Sequence, residues 1–253
     1  MASNKIAFIT GGGRGLGKDM ALSLAKKGID IILTYNSNKT EADAVAAEIQ
    51  KAGQRAAVLQ LNTATASSFN NFVTSFTTIL KDTFQATQFN YLINNAGIGL
   101  HANFADTTEA QFDEIMNIHL KGPFFLTQKL LPLLADGGVI INVSSGLARF
   151  TLPGSSAYAA MKGAIEVLTR YQAKELGSRG IRVNTIAPGA IQTDFGGGVV
   201  RDNADLNKMV AANTALGRAG VAEDIGAVVA FLCSDDARWV NAQRVEASGG
   251  MFL

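Results

Sequence analysis

Short apolar runs alternate along this chain with longer stretches whose apolar positions follow a helical period. The short runs, Lys5–Thr10, Asp30–Thr34, Arg55–Leu59, Asn90–Ile93, Val139–Ser144, Ile181–Ile186 and Arg244–Glu246, read as strands. The longer stretches between them, Leu16–Lys27, Thr40–Lys51, Ser67–Phe84, Thr108–Leu134, Ser156–Leu176 and Ala222–Ser234, read as helices. Thr108-Glu109-Ala110-Gln111 has the form of a capping box opening its helix. Regular alternation of strand and helix implies an α/β fold: a doubly wound parallel sheet of about seven strands, with helices on both faces. No linker, repeat or shift of composition divides the chain, so residues 1–253 are expected to form one domain. Gly196-Gly197-Gly198 and the polar Arg201–Asn207 read as a flexible insertion. It is either a plain surface loop or, because it follows a strand's carboxyl end, part of a ligand site.

Composition narrows the class. Hydrophobic residues are 47% and charged residues 17% of the 253, which suits a chain with a large core. A net charge of +1 without a basic stripe argues against nucleic acid as a partner. Cys233, the single cysteine, lies in the apolar run Val228–Leu232 and reads as a small core residue, since one thiol makes no internal disulfide. Met1-Ala2-Ser3-Asn4 leads straight into the first strand without the form of a signal peptide. No apolar run approaches the ~18 residues that a membrane span needs. A cytoplasmic protein without membrane contact is expected.

Chemistry enters first at Thr10-Gly11-Gly12-Gly13-Arg14-Gly15-Leu16-Gly17, between the first strand and the first helix. Glycines permit close backbone approach, and a helix N-terminus offers free N–H groups to an anion. The phosphate loop of nucleotide hydrolases requires Ser or Thr after its Gly-Lys; here Gly17-Lys18 is followed by Asp19, which repels phosphate. The fingerprint G-x-G-x-x-G is absent, and T-G-x-x-x-G-x-G remains.

A second constellation is Tyr158 with Lys162, four residues on and so one turn away on the same helix face. A phenol with its reference pKa near ~10 is a poor acid or base at neutrality. A fixed ammonium one turn away favours the phenolate and draws the group toward useful pH. Ser145, thirteen residues before Tyr158 and at a strand end, would present a hydroxyl to the same substrate oxygen. These three residues suit moving a proton on and off an alcohol or ketone oxygen.

With Asn94-Asn95-Ala96-Gly97 after the fourth strand, Pro188-Gly189 followed by Thr193, and the ending Val245-Glu246-Ala247-Ser248-Gly249-Gly250-Met251, these motifs resemble the short-chain dehydrogenase/reductase family in order and spacing. The resemblance runs over essentially the whole chain. It implies a nicotinamide cofactor across the carboxyl ends of the strands. Its pyrophosphate would rest on Gly11, Gly13, Arg14, Gly15, Leu16 and Gly17, and its ribose would meet Asn94, Ala96 and Gly97. Pro188, Gly189, Ile191 and Thr193 would hold the carboxamide end. Tyr158 would be the general acid in reduction and Lys162 would bind the nicotinamide ribose, while Ser145 polarises the carbonyl.

Two positions depart from the family's pattern. Where it has Asn before Leu-x-Gly, supporting a proton relay to the lysine, this chain has His119. Its imidazole either takes over the relay or is a buried ring satisfied by a backbone carbonyl. After the third strand the usual Asp is replaced in Leu61-Asn62-Thr63, where Asn62 still offers the adenine an acceptor.

NAD-dependent relatives end the second strand with an acidic residue. Here Leu33-Thr34-Tyr35-Asn36-Ser37-Asn38-Lys39 has none before Glu41. Arg14 with Asn36, Ser37 and Lys39, beside Tyr35, would surround a 2′-phosphate, so NADP(H) is expected over NAD(H); otherwise these residues decorate a surface turn. Leu147, Phe150, Leu152, Ile191 and Phe195 would wall an apolar pocket for a small hydrophobic carbonyl compound. A 3-oxoacyl thioester reductase is the alternative, although only Arg179 offers a basic dock for an acidic carrier; a cofactor-binding sensor without turnover is a third reading. The resemblance also implies a homotetramer, with Phe124, Phe125, Leu126, Leu130, Leu168 and Tyr171 supplying apolar surface.

Overall fold

In the computed structural model, which describes residues 5–253, the chain begins with β1 (Ile6–Ile9), α1 (Gly15–Ala25), β2 (Asp30–Tyr35), α2 (Lys39–Lys51) and β3 (Ala56–Gln60). There follow α3 (Phe69–Phe84), β4 (Phe89–Asn94), α4 (Glu109–Met116), α5 (Gly122–Leu130), β5 (Leu134–Val143) and α6 (Ser156–Glu175). The chain continues through β6 (Arg182–Pro188), α7 (Val199–Asp202), α8 (Ala204–Ala212) and α9 (Glu223–Leu232) to β7 (Arg244–Ala247). Met1–Asn4, the stretch expected to lead directly into the first strand, lies outside the described residues.

The strands form one seven-stranded sheet in the order β3-β2-β1-β4-β5-β6-β7, every neighbouring pair parallel. The order reverses between β1 and β4, and such a switch opens a crevice beyond the carboxyl ends of the strands. Alternate residues of one strand feed opposite faces. Ala7 and Ile9 pack with Met20, Leu24, Val45 and Val229 of α1, α2 and α9. Ile6 and Phe8 pack with Phe72, Phe76, Leu80 and Leu126 of α3 and α5. Phe8 meets Phe76 edge-on at 4.9 Å between centroids, and both are fully buried. Among the described residues no helix is long and apolar enough to cross a membrane.

The helix expected over Thr108–Leu134 opens with the expected capping box but is not continuous. A wider π-type turn, Asn117–Lys121, separates α4 from α5. Pro123 has no N–H to give the His119 carbonyl four residues earlier, so the regular ladder cannot pass this point. A side chain at Gly122 would run into the Thr63 carbonyl, so the glycine lets this turn press against the loop after β3. The helix then ends in a short 3-10 turn, Leu131–Leu133, and Leu134 already pairs with Phe89 as the first residue of β5.

The expected flexible insertion is largely helical. Gly196, Gly197 and Gly198 take left-handed φ values of +62°, +78° and +78°, and α7 and α8 follow. The Asn203 side chain caps α8 by accepting from the Asp205 and Leu206 N–H groups.

Candidate active site

The glycine turn is shaped by what surrounds it. Gly11 has φ +65°, and a Cβ there would stand 3.1 Å from the Ala96 Cα. A Cβ on Gly17 would collide with the Gly11 carbonyl and lie 2.6 Å from Asn95 Nδ2. Gly13 lies against Ala42 of α2, where an added Cβ would sit at 3.3 Å, and Leu16 packs on the core. Helix α1 then starts with no side-chain cap at Arg14 and no acidic residue in its first turn. Its first N–H groups therefore have no side-chain cap and no neighbouring carboxylate in the turn, which fits the pyrophosphate of a dinucleotide.

Two residues outside the expected set hold this turn. Asn95 Nδ2 donates to the Thr10 and Gly11 carbonyls at 2.9 and 3.1 Å. Thr10 Oγ1 accepts from the Asn95 and Ala96 N–H groups at 3.0 and 2.9 Å. The glycine turn and the end of β4 are thereby one unit. The signal lay in the Asn-Asn-Ala-Gly motif, of which Asn94 rather than Asn95 had been singled out. Asn94 is instead 6% exposed, its Nδ2 donating inward to Thr127 Oγ1 and Asn142 Oδ1.

Just past β5, Ser145 is extended and close enough to Tyr158 to act on its ionisation, while its Oγ accepts from the Leu147 N–H at 3.2 Å. Tyr158, on α6, is 8% exposed, with its ring between His119 (5.2 Å, edge-on) and Phe195 (5.9 Å). Lys162 lies one turn on, buried, with Nζ 5.4 Å from the Tyr158 ring centroid and donating to the Val143 carbonyl at 2.7 Å. The serine, tyrosine and lysine are therefore together.

Their electrostatics differ from the sequence expectation. Burial pushes the Tyr158 phenol well above its ordinary value, and the Ser145 hydrogen bond is what opposes the rise. Burial also pushes Lys162 down to about 7. The ammonium is turned onto a backbone carbonyl, so its draw on the phenol is weaker than helical spacing alone implies.

His119 is 2% exposed, and its Nε2 lies 2.8 Å from the Ile98 carbonyl. Donation from Nε2 leaves Nδ1 buried without a partner. Burial first, then the charge of Lys162, lowers its pKa to about 2, so the ring stays neutral. The Ile98 N–H also reaches Nε2, at 3.2 Å, so both backbone groups of that residue engage the same ring nitrogen. The ring supports the loop after β4, and a Cβ on Gly97 would strike it.

The remaining expected contacts line the same rim. Pro188 is buried, Gly189 abuts Ser248, Ile191 bridges to Gly220, and buried Thr193 would lie 3.5 Å from a Cβ on Gly15. The strand end after β6 thus meets the start of α1. Near the second strand, Tyr35 is half-buried, Asn36 and Ser37 are exposed, and the Asn36 carbonyl accepts from Gln60. Lys39 is committed to Asp43 at 2.7 Å, and Arg14 in the glycine turn is exposed. Leu61 is buried, and exposed Asn62 uses its Oδ1 to accept from the Ala64 N–H.

Leu147, Phe150 and Leu152 line a cleft of about 360 Å³ with Phe104, Ser155 and Ala159, a lining that does not include Ser145 or Tyr158. Phe104, which sequence reasoning missed, is 86% exposed at its rim. Phe195 stands apart from that cleft, against Tyr158 and close to Gly99. Arg179 is not a free basic dock: it donates to Asp136 at 2.7 Å and to the Leu131 and Leu134 carbonyls.

Crevice, glycine turn and Ser-Tyr-Lys group together define a nucleotide-dependent oxidoreductase, and sequence comparison agrees. The chain belongs to the short-chain dehydrogenase/reductase family: the family model described as enoyl-(acyl carrier protein) reductase matches residues 11–252. An uncharacterised oxidoreductase of Methylorubrum extorquens is 35% identical over 247 residues, 98% of this chain and 97% of that one. A 3-oxoacyl-[acyl-carrier-protein] reductase of Staphylococcus epidermidis is 34% identical, covering 99% of this chain and 100% of its own. Among solved structures, a promiscuous reductase catalysing keto-reduction at C1 in lugdunomycin biosynthesis is 35% identical, with a TM-score of 0.94 over 99% of both chains. The angucycline C-6 ketoreductase LanV, solved with bound NADP, is 34% identical with a TM-score of 0.93, over 98% of this chain and 95% of its own.

Proposed function

We propose that the protein, as one cytoplasmic domain in a homotetramer, reduces the carbonyl of a free hydrophobic ketone with NADPH. The observation that carries this reading is the convergence of Ser145, Tyr158 and Lys162 in a fold whose α1 starts uncapped at the glycine turn. NADPH supplies the hydride. Gly11–Gly17, Ala96, Gly97 and Pro188–Thr193 hold the dinucleotide. Ser145 Oγ orients and polarises the ketone oxygen. Tyr158 delivers its phenolic proton to that oxygen as negative charge develops, where a high pKa is an asset to a proton donor only if the resulting phenolate is stabilised. Lys162 Nζ does this by turning its ammonium toward the tyrosine and the ribose. His119 serves as a positioning residue for the loop after β4.

Support for NADPH over NADH comes from Arg14 beside a second strand without an acidic end, and from relatives solved with NADP or NADPH. Support for a free ketone comes from the Arg179–Asp136 pair, which occupies the cation an acidic carrier would need. Aromatic lining at Phe104 and Phe150 suits a ring ketone, and the C-6 ketoreductase LanV was solved with NADP and rabelomycin.

The test is a spectrophotometric panel of ring ketones, diketones and 3-oxoacyl thioesters with each nicotinamide nucleotide. Turnover of ring ketones with NADPH is expected. Preference for the thioesters would move the protein to the carrier-type reductases; cofactor binding without turnover would make it a sensor. Arg14→Ala should weaken NADPH roughly ten- to hundredfold, the worth of one charge-assisted contact, and spare NADH. Equal loss of both would remove the case for NADPH.

A further inference from the structure

Outside the Ser-Tyr-Lys group, four charged side chains form one continuous chain of contacts. Glu166, on α6, accepts from Ser144 Oγ and from Arg244 Nε of β7, both at 2.7 Å. Arg244 Nη1 donates to Glu246 at 2.7 Å, and its Nη2 reaches the Ser145 carbonyl at 3.3 Å. Glu246 accepts from Arg149 through both oxygens, at 2.8 and 2.7 Å. Arg149 closes the chain on the tail, donating to the Met251 and Phe252 carbonyls at 2.7 and 3.2 Å.

The arrangement is unusual in where it pulls. Ser145 is flanked by residues whose side chains are both anchored, Ser144 to Glu166 and Arg149 to Glu246, and its own carbonyl is held by Arg244. Phe150, one wall of the cleft, lies under the Arg149 guanidinium at 5.4 Å and against the Phe252 ring at 5.0 Å. Two arginines and two glutamates balance in charge. Their side chains are between 14% and 39% exposed, and the one bidentate contact, Arg149–Glu246, fixes direction as well as charge. Surface ion pairs of ordinary kind do not converge on one backbone segment.

We infer that the Glu166–Arg244–Glu246–Arg149 chain is a positioning device, through which β7 and the C-terminal tail set the geometry of Ser145 and of the ketone-facing wall. The inference rests on the reading of Ser145 as the group that meets the substrate oxygen. None of the four need touch substrate. Misplacing a reacting group by about 1 Å costs on the order of 10²-fold, so a loosened segment shows in the reaction before it shows in the fold.

The experiment uses the full chain with Arg149→Met, Glu246→Gln and their combination. Hydrogen exchange, which needs no turnover, should rise together at residues 144–150 and 249–253 in each variant, with the glycine turn 11–17 unchanged. With a ketone that the unaltered enzyme reduces, kcat/KM should fall roughly tenfold or more while the NADPH dissociation constant stays within about twofold. The double variant should lose less than the two single losses combined, because both break the Arg149–Glu246 link. Unchanged exchange at 144–150, additive losses, or parallel loss of NADPH binding and ketone turnover would each overturn the inference. Failure of the unaltered enzyme to reduce any ketone would fault the proposed function, and the exchange data would still decide this one.

Discussion

At the scale of single residues, the site is a set of groups moved away from their ordinary ionisation by burial. Tyr158→Phe removes the proton donor and leaves the packing between His119 and Phe195, so it should keep NADPH affinity and lose at least ~10²-fold in kcat. Near-normal turnover of this variant would reassign the donor. Lys162 carries a second expectation in the cofactor-free protein. Burial lowers it from 10.5 to about 7, so between these values the unfolded chain holds a proton that the folded chain lacks. Stability should therefore rise with pH from about 7 to about 10.5, with the full gain above the higher value and none of it left below the lower. Lys162→Met should flatten that rise, read as the difference in urea midpoints between variant and parent at successive pH values. That Ser145, Tyr158 and Lys162 would lie together was legible in the sequence, because helical spacing and a strand end suffice to bring them together. The direction of Lys162 was not, since its partner is a backbone carbonyl that no sequence pattern marks.

Elements show the same division. Each expected strand is present, displaced by a few residues at most, because continuous apolar runs buried on two faces leave little ambiguity. The break at Asn117–Lys121 depends on where Pro123 and Gly122 stand relative to a neighbouring loop, which is a tertiary fact. Helices α7 and α8 were missed because a glycine triplet and polar residues outweigh the short apolar period behind them. The link between the glycine turn and β4 was half visible: the motif was noticed, its working residue was not. Asn95→Ala deletes two hydrogen bonds of about 1 kcal/mol each and should weaken NADPH by roughly ten- to thirtyfold, measured by cofactor fluorescence. An unchanged dissociation constant would mean that Thr10 alone holds the turn.

For the whole molecule, the outer faces of α5 and α6 decide the expected assembly. Phe124, Phe125, Val167 and Tyr171 are 42%, 39%, 45% and 63% exposed, whereas Leu126 and Leu130 are turned fully into the core. The exposed four make an apolar surface of the kind that closes two-fold contacts. Equilibrium sedimentation at micromolar concentration should give a tetramer, and Val167→Glu with Tyr171→Glu should reduce it to smaller species of unchanged helical content. A monomeric parent would reject the assembly. The order of the strands also has a consequence for how the molecule is made. Ala7 of β1 finds its partner Tyr91 only after β2, α2, β3 and α3 have been synthesised, and Ser145 gains its hold from Arg244 and Glu246 near the end of the chain. Nearly every pairing that matters is distant in sequence, which makes folding slow. A nascent chain on the ribosome can complete its nucleotide turn once β4 has emerged, but its catalytic serine stays unanchored until translation is almost finished. Chains cut before Arg244 would therefore keep the glycine turn while losing the hold on Ser145, a form of damage that a nucleotide-binding assay alone would pass as intact.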